Sequence, residues 1–240
     1  AAGLLRWIRT KGIDTVPMKP VQTGCEPAMT GETGGDPESS LRVPDLELML
    51  AAADLAAGPD EMALMCPFRY QPACSPHLAG RMEGHFPSID AIEESARRLL
   101  VHHEALVVEG AGGVLVPLDE QSTMRDLMRR LALPVVIVAR PDLGTINHTL
   151  LTIEALRSAG LRIVGVVYND LSEGGAREDD WIRDDNPGII TRLSGVPSLG
   201  RLGRLGSAGN AGPLATPHGW HDIEEALEGR DAILKAITGD

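Results

Sequence analysis

The residue best placed to do chemistry is Glu109, in the run Ala105-Leu106-Val107-Val108-Glu109-Gly110-Ala111-Gly112-Gly113. Apolar residues feed a carboxylate, and the carboxylate opens a turn of small residues. The apolar run predicts a strand buried on both faces. Ligands of open α/β sheets collect beyond the carboxyl ends of such strands. An acid there can hold Mg²⁺ beside phosphate oxygens, and glycines let a ligand approach the backbone closely. Met18-Lys19-Pro20-Val21-Gln22-Thr23-Gly24 is a second strand end. Lys19 offers a compact ammonium to an anion, and Thr23 a hydroxyl that both donates and accepts. Taken singly, each has a plain reading: a solvated lysine after an edge strand, or an acid starting a surface turn.

Further segments carry chemistry of the same kind. Ser75-Pro76-His77 lies in a predicted loop after Cys66-Pro67, where Ser-Pro ordinarily marks a turn. Leu143-Gly144-Thr145-Ile146-Asn147-His148-Thr149 runs from a strand end into a helix. The free N–H groups of its first turn make an anion pocket, or Thr145 is simply its N-cap. Val167-Tyr168-Asn169-Asp170 ends another strand, where Asn169 can bond a base edge or make a turn.

Alternating elements must position these residues. Leu4, Leu5 and Ile8 predict a helix ending near Gly12, and Asp14 to Met18 a strand running into Lys19-Pro20. Cys25 to Pro44 reads as a loop rich in small and polar residues. Leu46, Met49, Leu50 and Ala53 form a helical face. Ser88 is a good N-cap for a helix carrying Ile92, Ala96, Leu99 and Leu100. Met124, Leu127, Met128 and Leu131 mark another helix. Pro134 to Ala139 reads as a buried strand, Ile146 to Ala159 as a helix stopped at Gly160, and Ile163 to Tyr168 as a strand. A helix near Ile189 to Leu193 precedes a weak strand near Pro197 to Leu202. Gly203 to Gly219 reads as a Gly/Pro-rich loop, and Asp222 to Ile237 as a helix broken at Gly229. Strand–helix alternation predicts an α/β fold: a parallel sheet with helices on both faces. No repeat or long linker divides it.

Composition narrows the class. A chain of 240 residues fits one α/β domain with a substantial core, or, as the lesser alternative, two small domains. The net charge of −12 argues against general nucleic-acid binding, which needs a basic footprint. It is compatible with an anionic nucleotide bound at helix N-termini. The acids Glu178-Asp179-Asp180 and Asp184-Asp185 read as a solvated helix face or loop. Cys25, Cys66 and Cys74 are odd in number and form no CxxC, so neither a disulfide framework nor a zinc site is expected. A reducing cytoplasm is the simplest compartment. Apolar runs are far shorter than a membrane span.

Together the segments resemble dethiobiotin synthetase, in order and spacing: KPVQTG, Asp45 after Pro44, SPH, VEGAGG followed by Pro117-Leu118, LGTINHTLLT and YND. The resemblance covers about residues 1–202, and VEGAGG with LGTINHTLLT is its specific part. It implies a P-loop NTPase-like α/β fold in one domain over residues 1–240, and a homodimer. The implied reaction is ATP- and Mg²⁺-dependent closure of a ureido ring on 7,8-diaminopelargonic acid with CO₂. On the matched positions, Lys19 would neutralise the carbamate and the transferring phosphoryl group, and Thr23 would orient substrate. Asp45 and Glu109 would hold Mg²⁺. Gly112 and Gly113 would let substrate approach the strand end, and Ser75 and Pro76 would line the diamine site. Gly144, Thr145, Ile146 and Asn147 would take the far carboxylate across the dimer interface. Asn169 would read adenine, with Gly200 and Leu202 beside the nucleotide.

The chain departs from the family at two places. A GxxxxGK[ST] phosphate loop, with the strand before it, does not occur in these 240 residues. Gly31-Glu32-Thr33-Gly34-Gly35 lacks the lysine and hydroxyl and reads as plain loop. The natural protein is therefore expected to carry a further N-terminal segment, since a sheet without its central strand would leave core exposed. An intact mass of 25.5 kDa would contradict that expectation. Near the end, Gly200-Arg201-Leu202-Gly203 has no proline where the family tends to place one near adenine. Two alternatives stay open at this point. One is a non-catalytic dimeric relative without the phosphate loop, and the other a related amidotransferase or ligase of the cobyrinate type.

Overall fold

The computed structural model describes residues 1–27, 41–170, 180–203 and 230–238. These fall into two compact units, Ala1–Leu131 and Ala132–Asp240.

In the first unit, α1 (Ala2–Thr10) buries Leu5, Trp7 and Ile8. Lys11 caps it, and Gly12 turns the chain with a positive φ. Next comes β1 (Thr15–Met18), whose residues are all buried. β2 (Val21–Thr23) follows Pro20, and β3 (Glu26–Pro27) pairs antiparallel with β4 (Leu41–Arg42). That short ladder lies where a loop from Cys25 to Pro44 was expected; Gly31 to Gly35 lie outside the described residues. Pro44 opens α2 (Pro44–Ala52), where a fixed φ and a missing N–H cost nothing. Its buried face is Leu46, Met49, Leu50 and Ala52, while Ala53 is the C-cap.

Three elements here have no counterpart in the apolar periodicity: α3 (Pro59–Met65), β5 (Phe68–Tyr70) and α4 (Pro76–Glu83). All three are short, and α3 and α4 begin at prolines; the sequence reading covers only Ser75-Pro76-His77 among them, as a loop. α5 (Ile89–Leu99) forms as predicted, with the Ser88 hydroxyl accepting from the Ala91 N–H at 3.3 Å. Ile92, Ala96 and Leu99 are buried, but Leu100 is the C-cap and is 45% exposed. β6 (Ala105–Val108) pairs parallel with β1, and β5 with β2. Only Val107 of β6 is fully buried, so the expectation of a strand buried on both faces is corrected. In α6 (Met124–Leu131), Met124 and Leu127 are buried; Met128 and Leu131 are half-buried.

The second unit is built on the parallel ladder β7 (Val135–Ala139), β8 (Ile163–Asn169) and β9 (Ser198–Leu202). β8 is the middle strand and is buried from Val164 to Tyr168. β7 has only Ile137 fully buried, and Val138 is 61% exposed, which again corrects a predicted buried strand. An apolar run reports the capacity for burial, not how many neighbours a strand has. α7 (Thr145–Ser158) ends before Gly160, as expected. α8 (Asp180–Ser194) is far longer than the predicted helix near Ile189. Asp184 and Asp185 lie on its solvated face, whereas Arg183, Asn186 and Ile190 are buried; Glu178 and Asp179 lie outside the described residues. α9 (Arg230–Thr238) packs against β8. Of the expected Gly203 to Gly219 loop, Gly203 alone is described; the remainder, like the Gly229 break, lies outside the described residues.

The three cysteines are unbridged. Among the described residues, no helix is long and apolar enough to cross a membrane.

Candidate active site

Lys19 and Glu109 each stand one residue beyond a strand, and the register of those strands brings them together. Met18 is the partner of Val108, and the Glu109 N–H donates to the Met18 carbonyl at 2.9 Å. The Lys19 N–H is fixed by the Met65 carbonyl at 2.8 Å. Asp45 arrives from the first turn of α2, where a carboxylate complements the helix dipole.

The three side chains meet at the lysine ammonium. Lys19 Nζ is 2.8 Å from Asp45 Oδ2 and 3.0 Å from Glu109 Oε1, and donates to the Gly110 carbonyl at 3.1 Å. An ammonium has three N–H donors, and three protein oxygens stand ready for them. The Lys19 side chain is only 6% exposed, against 44% for Asp45 and 38% for Glu109. Burial pulls the lysine pKa down, but Asp45 and Glu109 outweigh it and hold it above the ordinary lysine value. Lys19 is therefore a permanent cation near neutral pH, with two partly solvated carboxylates around it.

The other predicted residues of the first unit lie on further elements of it. Thr23 closes β2 opposite Tyr70, and Gly24 turns with φ +72° close to Ala73. Ser75 is the N-cap of α4, and Pro76 is its buried first residue. The segment is thus a helix start rather than a simple turn. The Ser75 hydroxyl does not cap α4; its Oγ lies 3.0 Å from His77 Nδ1. Gly112 has φ +77°, and a Cβ there would lie 2.8 Å from Val116 Cγ2. Its side-chain-free backbone is required by the turn itself. A Cβ on Gly113 would meet nothing within 4 Å, which leaves open space beside the strand end.

In the second unit, Gly144 is the N-cap of α7 with φ +91°. Thr145 is thus the first helical residue and not the cap. It is buried, with its hydroxyl 3.3 Å from that of Thr149. Ile146 is half-buried and Asn147 exposed. At the ends of β8 and β9, Asn169 pairs with Leu202, and Gly200 adopts φ +116°. These adenine candidates therefore share one corner of the ladder.

That corner also holds a charged cluster that the sequence reading missed. Asp170 follows Asn169 and is 6% exposed. Its Oδ2 accepts from Arg201 Nη2 at 2.6 Å and lies 3.5 Å from Arg183 Nη1. Arg183 Nη2 bonds Asp142 Oδ1 at 2.6 Å, and Arg201 Nη1 bonds Asp184 Oδ1 at 3.1 Å. The signal in the sequence was faint: one arginine inside an acidic run, and one aspartate after an asparagine.

The chain is similar in sequence to several known proteins. A family model described as an AAA domain matches residues 1–211. The ATP-dependent dethiobiotin synthetase BioD of Anaeromyxobacter sp. (strain Fw109-5) is 41% identical over 193 residues, 80% of this chain and 78% of its own length. The protein of the same name from Bacillus licheniformis is 34% identical over 200 residues, 83% of this chain and 77% of its own length. That from Chromohalobacter salexigens is 36% identical over 204 residues, covering 83% and 81%. The structure of apo McdA from Cyanthece superposes with a TM-score of 0.53 at 12% identity, over 97% of this chain and 92% of its own, and bears on the fold alone. The α/β fold is of the P-loop NTPase kind, and the chain belongs to the dethiobiotin synthetase family.

Proposed function

We propose that this protein, an ATP-dependent ligase of its family, closes a ureido ring on 7,8-diaminopelargonic acid with CO₂, giving dethiobiotin, ADP and phosphate in biotin biosynthesis. The observation that supports this most is the Lys19 ammonium gathered with Asp45 and Glu109 at adjoining strand ends. A lysine cation beside two partly solvated carboxylates suits phosphoryl transfer, where positioning and charge stabilisation dominate catalysis.

The chemistry divides into three steps. CO₂ adds to one amine of the substrate to give a carbamate. A carbamate oxygen attacks the γ-phosphorus of ATP, and ADP leaves. The second amine attacks the carbamoyl carbon, phosphate leaves, and the ring closes. Lys19 neutralises the carbamate and the phosphoryl group in flight by exchanging protein acceptors for substrate oxygens. Its hydrogen bonds to Asp45, Glu109 and the Gly110 carbonyl are those of an ammonium, a cation for the phosphoryl group and not a base for the amine proton. Thr23 orients the diamine, Ser75 and Pro76 line its site, and Gly112 and Gly113 leave room beside the strand end.

Asp45 and Glu109 fit Mg²⁺. Mg²⁺ keeps several waters and needs only one or two protein carboxylates beside phosphate oxygens. Their carboxylates are 44% and 38% exposed, open to such an ion, and would supply the protein share. When bound, the ion would neutralise phosphate oxygens of ATP.

In the second unit, Gly144, Thr145, Ile146 and Asn147 present first-turn N–H groups to the far carboxylate of the diamine, across the interface of a homodimer. Asn169 reads the adenine edge, with Gly200 and Leu202 beside it. We read the two units as one dethiobiotin synthetase domain acting in the cytoplasm.

The test is phosphate release from Mg-ATP and bicarbonate, with and without the diamine, on mass-checked protein. Release that requires the diamine is expected. Release indifferent to the diamine, or none from the full chain, would sink the reading.

A further inference from the structure

α8 turns two polar side chains inward that the reaction does not use. Arg183 is 3% exposed and Asn186 4%. Both reach the loop between β7 and α7. Asn186 Nδ2 donates to the Pro141 carbonyl at 2.7 Å, and Arg183 Nη2 donates to Asp142 Oδ1 at 2.6 Å. The Asp142 carbonyl in turn accepts the Thr145 N–H at 3.1 Å, the first amide of α7. With its other terminal nitrogen, Arg183 faces Asp170, the residue after Asn169. One guanidinium thus bridges the start of α7 and the end of β8.

From this geometry we infer that Arg183, supported by Asn186, is a positioning residue that fixes the α7 N-terminus where the diamine carboxylate binds. The inference rests on the proposed ligase reading. A planar guanidinium with donors at fixed angles suits such a bridge better than a single flexible ammonium. The cluster's layout makes the point separable from folding. Asp170 keeps Arg201 at 2.6 Å when Arg183 is removed. Asp142 is 46% exposed and passes to water. Losing Arg183 therefore frees the loop without stranding a buried charge, the usual cause of collapse in such clusters.

The experiment compares Arg183→Met, Arg183→Lys and Arg201→Gln in the full chain. Its readouts are the KM for diamine and for ATP, together with hydrogen exchange at the amides of residues 143–147. For Arg183→Met the diamine KM is expected to rise roughly tenfold or more, as a displaced positioning group does, with faster exchange at those amides. Arg183→Lys should recover part of both effects, and Arg201→Gln, which leaves the Asp142 link intact, should leave the diamine KM unchanged. An active parent whose diamine KM is untouched by Arg183→Met overturns this inference alone, whatever the melting temperature does. Unchanged exchange at residues 143–147 also overturns it. A parent with no diamine-dependent phosphate release overturns the ligase reading and this inference with it.

Discussion

The first unit's lysine knot and the second unit's arginine cluster use the same ingredients to opposite ends. In the knot, one buried ammonium serves two carboxylates that are 44% and 38% exposed. Both carboxylates face solvent, so the knot can exchange partners. In the cluster, Asp170 is 6% exposed and lies between two guanidiniums. Its carboxylate is committed, and its value lies in holding backbone segments still. Burial of the acid, rather than the number of ion pairs, separates a group that can do chemistry from one that holds geometry.

The largest test of that contrast is at the knot. Lys19→Met should lower kcat by about 10²–10³-fold, about 3–4 kcal/mol of barrier, as losing a fixed stabilising donor does. The melting temperature should barely move, since Asp45 and Glu109 are already partly solvated. A large fall in melting temperature would mean that the knot is structural too. At the cluster the pattern should reverse: Asp170→Ala should cost about 3 kcal/mol in urea unfolding. This sits at the low end for a buried pair because Arg183 keeps Asp142 and Arg201 keeps Asp184. Next in size, Asp45→Asn and Glu109→Gln should each raise the Mg²⁺ needed for half-maximal activity by about tenfold, whereas Asp142→Asn should not change it.

The smallest effect sharpens the comparison with a third arrangement. His103 Nδ1 lies 2.8 Å from Asp14, and Nε2 lies 3.0 Å from Glu61. Burial disfavours the charged ring, but the bonds to Asp14 and Glu61 prevail and raise its pKa. The bond from His103 lowers that of Asp14. A raised histidine pKa gives stability that is complete below about 6.5, its unfolded value, and lost as pH rises through the folded value. The lowered Asp14 pKa gives stability that is lost in the other direction, as pH falls through its folded value. Stability should thus decline as pH rises above about 6.5, and His103→Gln should flatten that decline in denaturant midpoints measured across pH.

The sequence shows the knot and hides the cluster for a physical reason. Lys19 and Glu109 follow apolar strands directly, and Asp45 opens a helix with a clear apolar face, so local pattern places each at an end where ligands gather. α5 is legible in the same way, from Ser88 and its spaced Ile92, Ala96 and Leu99. α8 is not. Its inward stripe begins with Arg183 and Asn186, and Pro187 lies inside it, so apolar periodicity sees only the half after Pro187. The bridge from Arg183 to Asp142 joins residues far apart in the chain, and no motif spells it. Apolar runs overstate the burial of β6 and β7 among the described residues because an apolar run reports what a strand can bury, not what packs on its faces.

The alignment of β1 with β6 has a consequence for how this chain can vary. Lys19 and Glu109 face each other because Met18 is level with Val108. One extra residue within β1 would keep every motif, charge and side chain intact. It would also move the lysine by about 3.3 Å and reverse the face on which it projects. The reactive pair is thus specified as much by a count of peptide units as by residue identity. Substitutions along β1 are a matter of degree, whereas a single-codon insertion there removes the lysine from the knot.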